Sequence, residues 1–149
     1  MPYVEAWSKY RDKVGFMQFR DFRKTLKVKF SVNENHYVIA RLAEPPKLSN
    51  QIFAVINDEE EITVIAKEGT ELPSVSEEKS FRRITFEVNL PFNLTGFLSN
   101  IFTLLTHKSI PIFAISTYST DHLFIREANL DEVIELLQKD GMYRLDASR

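Results

Sequence analysis

A carboxylate stands among hydroxyl side chains in Ser116-Thr-Tyr-Ser-Thr-Asp121, the densest polar stretch of an otherwise apolar region. Upstream, Asn93-Leu-Thr-Gly-Phe97 places a glycine at the predicted start of a helix, where free backbone amides attract carboxylates and phosphates. In the predicted topology the two segments lie near each other. Asp121 can then hold the ammonium group of an amino acid, while the amides of residues 95–97 hold its carboxylate.

Both segments also have a purely structural interpretation. Gly96 can simply permit tight packing between the strand and the helix. Asp121 can hydrogen-bond the backbone of its own turn, as aspartate often does. Spacing alone favours the polar turn for Asp121, and both interpretations stay open at this stage.

The residue types disfavour catalysis and metal binding. The chain has no cysteine, which excludes a disulfide, a thiolate metal site and a cysteine nucleophile. His36, His107 and His122 form no closely spaced pair, so no metal site is predicted. Asp121 and His122 are adjacent on a predicted strand and point to opposite faces, which disfavours an acid–base pair. Without a glycine-rich phosphate loop or a nucleophile motif, the sequence predicts a protein that is not an enzyme and has no cofactor.

Length and composition indicate an ordinary globular chain. Its 149 residues, 44% hydrophobic and 27% charged, fit one compact unit or two small halves that share a core. No apolar run approaches the roughly 18 residues of a membrane-spanning helix. Charges recur near the N-terminus, for example at Glu5 and Lys9, so no secretory signal is expected. Together with the missing cysteines, this favours the cytoplasm.

The formal net charge of −2 hides an uneven distribution. From Lys9 to Lys29 there are eight basic residues and two acidic ones, interleaved with phenylalanines, whereas from Asp58 to Glu78 eight acidic residues face one lysine. The basic stretch predicts either association with nucleic acid or an anionic membrane, or a solvated amphipathic arm. The arm is favoured, because the whole-chain pI near 5.9 lies below the value of about 9 that is usual for nucleic-acid-binding domains.

The first part of the chain divides into an arm and a group of strands. Residues 1–24 form the basic and aromatic arm, in which apolar residues recur at helical spacing. Residues 25–80 form strands separated by turns, with Thr70–Val75 as a turn that can be helical. The predicted strands span 26–30, 37–42, 52–56 and 62–66. The last two flank a polar turn and form a hairpin.

Residues 81–149 predict a complete βαββαβ unit, the split pattern of ferredoxin-like folds. Apolar stripes at the 3.6-residue period indicate two helices. The second is predicted to begin with a capping box of Asn129 and Glu132 and to end at Gly141. Strand 112–116 is expected to lie beside strand 81–88. The elements are strand 81–88, helix 94–107, strands 112–118 and 122–126, helix 130–139 and strand 142–145. The fold class is therefore α+β.

Three segments, Leu94–Leu98, Ser109–Asp121 and Leu123–Glu127, resemble the ACT-domain family. The likeness is to the branch of small bacterial ACT-like proteins related to the CASTOR-type arginine sensors. Tyr37–Leu42 and Phe53–Ile65 resemble the incomplete first half of such proteins. The resemblance implies a ferredoxin-like ACT fold in residues 81–149, in tandem with an incomplete ACT-like half in which strand 81–88 can be shared. It also implies a regulatory or sensory protein that binds an amino acid.

The resemblance further implies a set of ligand-binding positions. They are Thr95, Gly96, Phe97, Ile112, Thr117, Tyr118, Thr120 and Asp121. The first three would supply backbone amides, and Asp121 would bind the ammonium group or a basic side chain. Many ACT domains have proline where this chain has Thr95. In related ACT domains the ligand lies between two modules, so one complete module per chain implies a homodimer, with Ile112 facing the ligand from the adjoining module.

Overall fold

The computed structural model describes residues 28–87 and 94–147. The predicted arm of residues 1–24 lies outside the described residues, as do the first two residues of the strand predicted at 26–30. In chain order the elements are β1 (Val28–Leu42), β2 (Ile52–Asn57), β3 (Ile62–Lys67), β4 (Ser74–Glu87), α1 (Leu94–Thr106), β5 (Phe113–Ser116), β6 (Asp121–Arg126), α2 (Leu130–Asp140) and β7 (Tyr143–Leu145).

The seven described strands form one sheet in the order β2-β3-β1-β4-β6-β5, with β7 paired to β1. All the neighbours in that path are antiparallel, and β7 is parallel to β1. With two helices beside an antiparallel sheet, the predicted α+β ferredoxin-like fold is confirmed. The prediction that strand 112–116 lies beside strand 81–88 is wrong. β6 pairs with β4 and so lies between β4 and β5.

Strand β1 is one continuous strand where the sequence predicted two, at 26–30 and 37–42. The polar residues between them form a bulge against β4 rather than a turn. Asn33 stabilises this bulge, since its side-chain oxygen accepts hydrogen bonds from the backbone N–H of Asn35 (2.9 Å) and the hydroxyl of Tyr37 (3.2 Å). Arg82 on β4 donates to the Asn33 carbonyl at 3.0 Å. These contacts keep the polar segment in the sheet.

Strand β4 begins earlier than predicted. Thr70–Val75 is not helical: residues 70–73 have no regular secondary structure, and β4 starts at Ser74. Along its length β4 pairs with β1 on one side, and from Phe81 onward it also pairs with β6. A boundary between residues 80 and 81 therefore falls inside one strand, and the division of the chain into 25–80 and 81–149 stays a prediction. The hairpin predicted at 52–66 is confirmed as β2 and β3.

Both helices pack on one face of the sheet. Alternate strand residues and the apolar stripes of the helices meet in the main core, which follows from the two-residue and 3.6-residue periods of the elements. Its fully buried members include Phe30, Ile84, Phe86, Ile101, Leu105, Leu123, Ile125 and Leu137. A second cluster, around Val38, Ala40 and Val64, joins β1 to β3 and is completed by Leu72 from the connection.

The ends of α2 differ in how well the sequence predicts them. Gly141 follows the helix at φ +80°, a left-handed conformation that suits glycine, and its N–H bonds the Gln138 carbonyl. The predicted capping box is wrong: Asn129 has helical φ and ψ angles and makes no side-chain cap hydrogen bond. A 3-10 turn at Glu127–Asn129 leads directly into the helix. Asn129 thus has a nearly helical backbone where capping needs an extended one.

The other face of the sheet carries an aromatic cluster whose members all come from strands. Phe124 is at its centre, with ring centroids 5.2 Å from Phe53 and 5.4 Å from Tyr37, both packed edge to face. Such geometry is the favoured one for aromatic pairs. Ile65 is also fully buried here, and the partly buried members are Ile39, Phe53, Ala54, Phe81, Phe113 and Ile115. This cluster joins the first hairpin to β6.

Candidate functional site

The turn between β5 and β6 is closed by its own threonines. The backbone N–H of Thr117 bonds the Thr120 carbonyl at 2.8 Å, and the two hydroxyls are also 2.8 Å apart. Tyr118 projects from this turn and is 85% exposed. The hairpin predicted here is confirmed, with β5 shorter than the predicted strand and β6 one residue longer. Of the predicted ligand positions, the structure brings Thr117 and Thr120 together and leaves Tyr118 in solvent.

Asp121 opens β6 and is 3% exposed. Its Oδ1 accepts a hydrogen bond from the hydroxyl of Ser116, the residue opposite it on β5, at 2.5 Å. Within the described residues the Asp121 carboxylate makes no other hydrogen bond. Its other strand neighbour is Phe86, which is buried in the main core, so Asp121 points to the helix side of the sheet.

The remaining predicted positions lie at the start of α1 and just before β5. Thr95, Gly96 and Phe97 form the start of α1, where backbone amides lack helical partners. Phe86, opposite Asp121, is the second-last residue of β4, and β4 precedes α1 in chain order. Ile112 is at the other end of the hairpin, because Phe113 pairs with Phe124 and Ser116 with Asp121. Ile112 precedes β5 and packs, partly buried, against the main core of its own chain.

His122 points to the opposite face from Asp121, as alternation on a strand predicts. It is 5% exposed and lies between two hydroxyls, with Thr85 at 2.9 Å from Nδ1 and Thr120 at 2.9 Å from Nε2. The pKa of His122 is lowered to about 4, chiefly by burial. The positive charge of Arg83 also lowers this pKa, and its effect is larger than the opposite effect of the negative charge of Asp121. The imidazole is therefore neutral at neutral pH, with one ring nitrogen donating and the other accepting.

Beside His122 the sheet has a cleft of about 420 Å³. Its lining residues come from β1, β4 and β6 and are Ser31, Val32, Asn33, Glu34, Arg83, Thr85 and His122. Sequence reasoning missed this group, apart from His122, which it assigned no role. The residues lie far apart in the chain and meet only through the strand register, which places Ser31 opposite Thr85 and Thr85 opposite His122. Alternation in β4 was the one available signal, since it puts Arg83 and Thr85 on the same face.

Two other kinds of site are absent from the described parts of the chain. Across residues 28–87 and 94–147, His, Asp and Glu side chains nowhere gather in a group of three that suits a metal ion. Among the helices of those same residues, none has the length and apolar character to span a membrane. In the acidic turn between β2 and β3, the Asp58 carboxylate accepts hydrogen bonds from the backbone amides of Glu60 and Glu61.

Comparison with known families gives a match to one segment of the chain. Residues 76–139 match the family model of the ACT domain. This segment contains most of β4, both helices except the last residue of α2, and the hairpin of β5 and β6. A search of curated proteins found no match to the chain.

Several solved structures share the fold. Protein Atu0741 from Agrobacterium tumefaciens superposes with a TM-score of 0.69 at 22% identity, covering 80% of this chain and 94% of its own. VC0802 from Vibrio cholerae, described as a protein of unknown function and possible transport protein, gives 0.60 at 19% identity, with coverages of 76% and 90%. The ligand-free regulatory subunit of aspartate kinase from Thermus thermophilus gives 0.53 at 8% identity, with coverages of 74% and 95%. Together with the family model, this shared ferredoxin-like architecture supports an ACT domain at residues 76–139 of the chain.

Proposed function

We propose that this chain is a regulatory protein that binds an amino acid or a similar small zwitterion and carries out no chemistry of its own. ACT domains typically bind small-molecule ligands in regulatory roles. The regulatory subunit of aspartate kinase, which has this fold, has that kind of role by its name. The relation to the CASTOR-type arginine sensors stays a prediction from the sequence, as does location in the cytoplasm.

The observation that carries this proposal is the position of Asp121 within the matched segment. It begins β6 directly beside the end of β4, and α1 is the next element after β4 in the chain. In our proposal the amides of Thr95, Gly96 and Phe97 bind the carboxylate of the ligand, because free amides at a helix start favour an anion. Asp121 binds the ammonium group through the oxygen that does not face Ser116.

The remaining predicted positions complete this proposed pocket. Thr117 and Thr120 brace the turn through their mutual hydrogen bonds and so fix the end of β6. Tyr118, exposed on the turn, is available to cover a ligand. Ile112 of a second copy would close the pocket from the other side, which requires its partly buried side chain to be shared between its own core and the interface.

The ligand-binding prediction is tested by isothermal titration of the chain with each of the twenty amino acids. We expect at least one to bind, and Asp121→Asn to weaken it by about tenfold or more, because a hydrogen bond to a charged group contributes about 1.5–3 kcal/mol. Asparagine keeps the shape of the side chain and a partner for Ser116, so the fold should persist. Asp131→Asn, at an exposed carboxylate in the first turn of α2, is the matched control and should bind like the parent. Heat from none of the twenty would contradict the proposal.

A homodimer is the expected assembly, because a ligand held between two modules stabilises their association. Strand β5 lies at one edge of the described sheet and pairs there only with β6. An unpaired edge of this kind can pair with a second copy. Light scattering should give twice the chain mass, with the dimer favoured further by the amino acid found in the titration. A monomer under both conditions would remove the shared interface from the proposal while leaving ligand binding to be judged by the titration.

A further inference from the structure

Arg83 is a cation without a counterion in the described structure. Its guanidinium makes neither an ion pair nor a hydrogen bond with residues 28–87 or 94–147, and its Nε is buried without a partner. It lies over two aromatic rings instead, 4.8 Å from the centroid of Phe53 and 5.5 Å from that of Tyr37. Taking a charge out of water without an opposite charge is unfavourable. An anion from outside the chain would remove this penalty.

The neighbouring arginines show how different Arg83 is. Arg82 donates to the Asn33 carbonyl and pairs with Glu127 at 3.3 Å. Arg126 pairs with Glu78 at 2.7 Å and donates to the Lys79 carbonyl. Each of these side chains is thus occupied within the fold. Arg83, on the cleft side of β4, has no such partner among the described residues.

The walls of the cleft suit a small polar anion. Ser31, Thr85 and His122 form one row across β1, β4 and β6. The hydroxyl of Ser31 has no hydrogen-bond partner in the described part of the chain and can donate. His122 is held in place by Thr85 and Thr120 and by edge-on contact with Phe53 at 5.0 Å, so it forms a fixed wall. A volume of about 420 Å³ falls in the range of about 300–1,000 Å³ that small-ligand sites occupy.

The charges that line the cleft select the class of anion. Arg83 contributes one positive charge and Glu34, exposed on the bulge of β1, one negative charge. A planar carboxylate matches the fork of a guanidinium. Glu34 disfavours a doubly charged phosphate and favours a ligand that also carries an ammonium group. We propose that this cleft is a second ligand site, which binds a small monocarboxylate through Arg83 and prefers one with an amino group near Glu34.

Nuclear magnetic resonance of the full chain tests this site with acetate, glycine and inorganic phosphate as probes. Acetate and glycine should shift the signals of Ser31, Thr85 and the His122 ring in a saturable way. Arg83→Gln should weaken both by about tenfold or more, since it removes the charge-assisted pair. Arg83→Lys keeps the positive charge but loses the forked guanidinium, so it should weaken the binding of acetate and glycine less. This variant provides the test if Arg83→Gln does not fold. Arg144→Gln, an exposed arginine on β7, is the matched control and should change nothing.

Glu34 and phosphate separate the parts of the proposal. Glu34→Gln should weaken the binding of glycine and leave the binding of acetate unchanged. Tighter binding of phosphate than of acetate would overturn the carboxylate assignment, and equal binding by the parent and Arg83→Gln would overturn the site itself. Because Asp121 points to the other face, Asp121→Asn should leave acetate binding unchanged. Glycine binding lost in Asp121→Asn but kept in Arg83→Gln would reject the cleft while supporting the proposed function.

Discussion

Replacing Phe124 with alanine is expected to lower the free energy of unfolding by about 3–5 kcal/mol, the usual cost of emptying a buried phenylalanine site. Phe124 is fully buried and its ring contacts those of Tyr37, Phe53 and Phe113. The cavity would open between the first hairpin and β6, because the Phe124 ring is at the centre of this cluster. Since whole domains are stable by only about 5–15 kcal/mol, this one change can remove much of the total.

Urea denaturation followed by circular dichroism measures this effect. Tyr118→Ala removes an aromatic ring of similar size from the exposed turn and should change stability by less than about 0.5 kcal/mol. Phe124→Leu, which leaves a smaller void, should fall between the two. A loss for Phe124→Ala no greater than that for Tyr118→Ala would mean that the aromatic cluster does not support the fold.

Acid should destabilise the chain through His122, by about 2 kcal/mol between pH 7 and about pH 5. The pKa of His122 is about 4 in the fold, against 6.5 for an unperturbed histidine. Between pH 6.5 and 4, His122 therefore binds a proton in the unfolded chain but stays unprotonated in the folded chain. This contribution to stability is fully present above pH 6.5 and is lost as the pH falls through that value toward 4.

The comparison with His122→Gln isolates this effect, since glutamine can hydrogen-bond the two threonines without titrating. Urea denaturation at a series of pH values should show a steeper loss for the parent than for the variant between pH 7 and 5. Arg83 and Asp121 are the charged groups that act on His122, and both are present in the parent and in the variant. Parallel curves for the two proteins would show that His122 is not kept neutral by the fold.

Local patterns were enough to predict most elements of the fold. The hairpins, both helices and the left-handed glycine after α2 follow from periodicity and turn residues near one another in the chain. The break predicted near Asn35 was wrong for a specific reason. Its polar residues satisfy one another inside a bulge, through Asn33 and Tyr37, and so continue the strand. Whether polar residues form a turn or a bulge depends on the partner strand, which local sequence does not contain.

The candidate sites depend even more on the partner strands. Asp121 could be found from its polar neighbourhood, but its partner Ser116 and its place beside Phe86 come from the register of three strands. The cleft could not be predicted from the sequence, because Arg83 and His122 are brought together only by the pairing of β4 with β6. An arginine in a strand commonly forms a surface ion pair, as Arg126 does with Glu78. Only the structure distinguishes Arg83 from such residues.

The pairing of β7 with β1 also bears on how the chain folds during synthesis. β7 (Tyr143–Leu145) pairs with Val28–Phe30 at the start of β1. Nearly the whole described length must therefore leave the ribosome before this edge of β1 is covered. Contacts between such distant parts of a chain slow folding, and domains otherwise tend to fold from the N-terminal end as they emerge. Until the last strand arrives, the nascent protein presents an open apolar edge, and this is the stage at which a chaperone would be most needed.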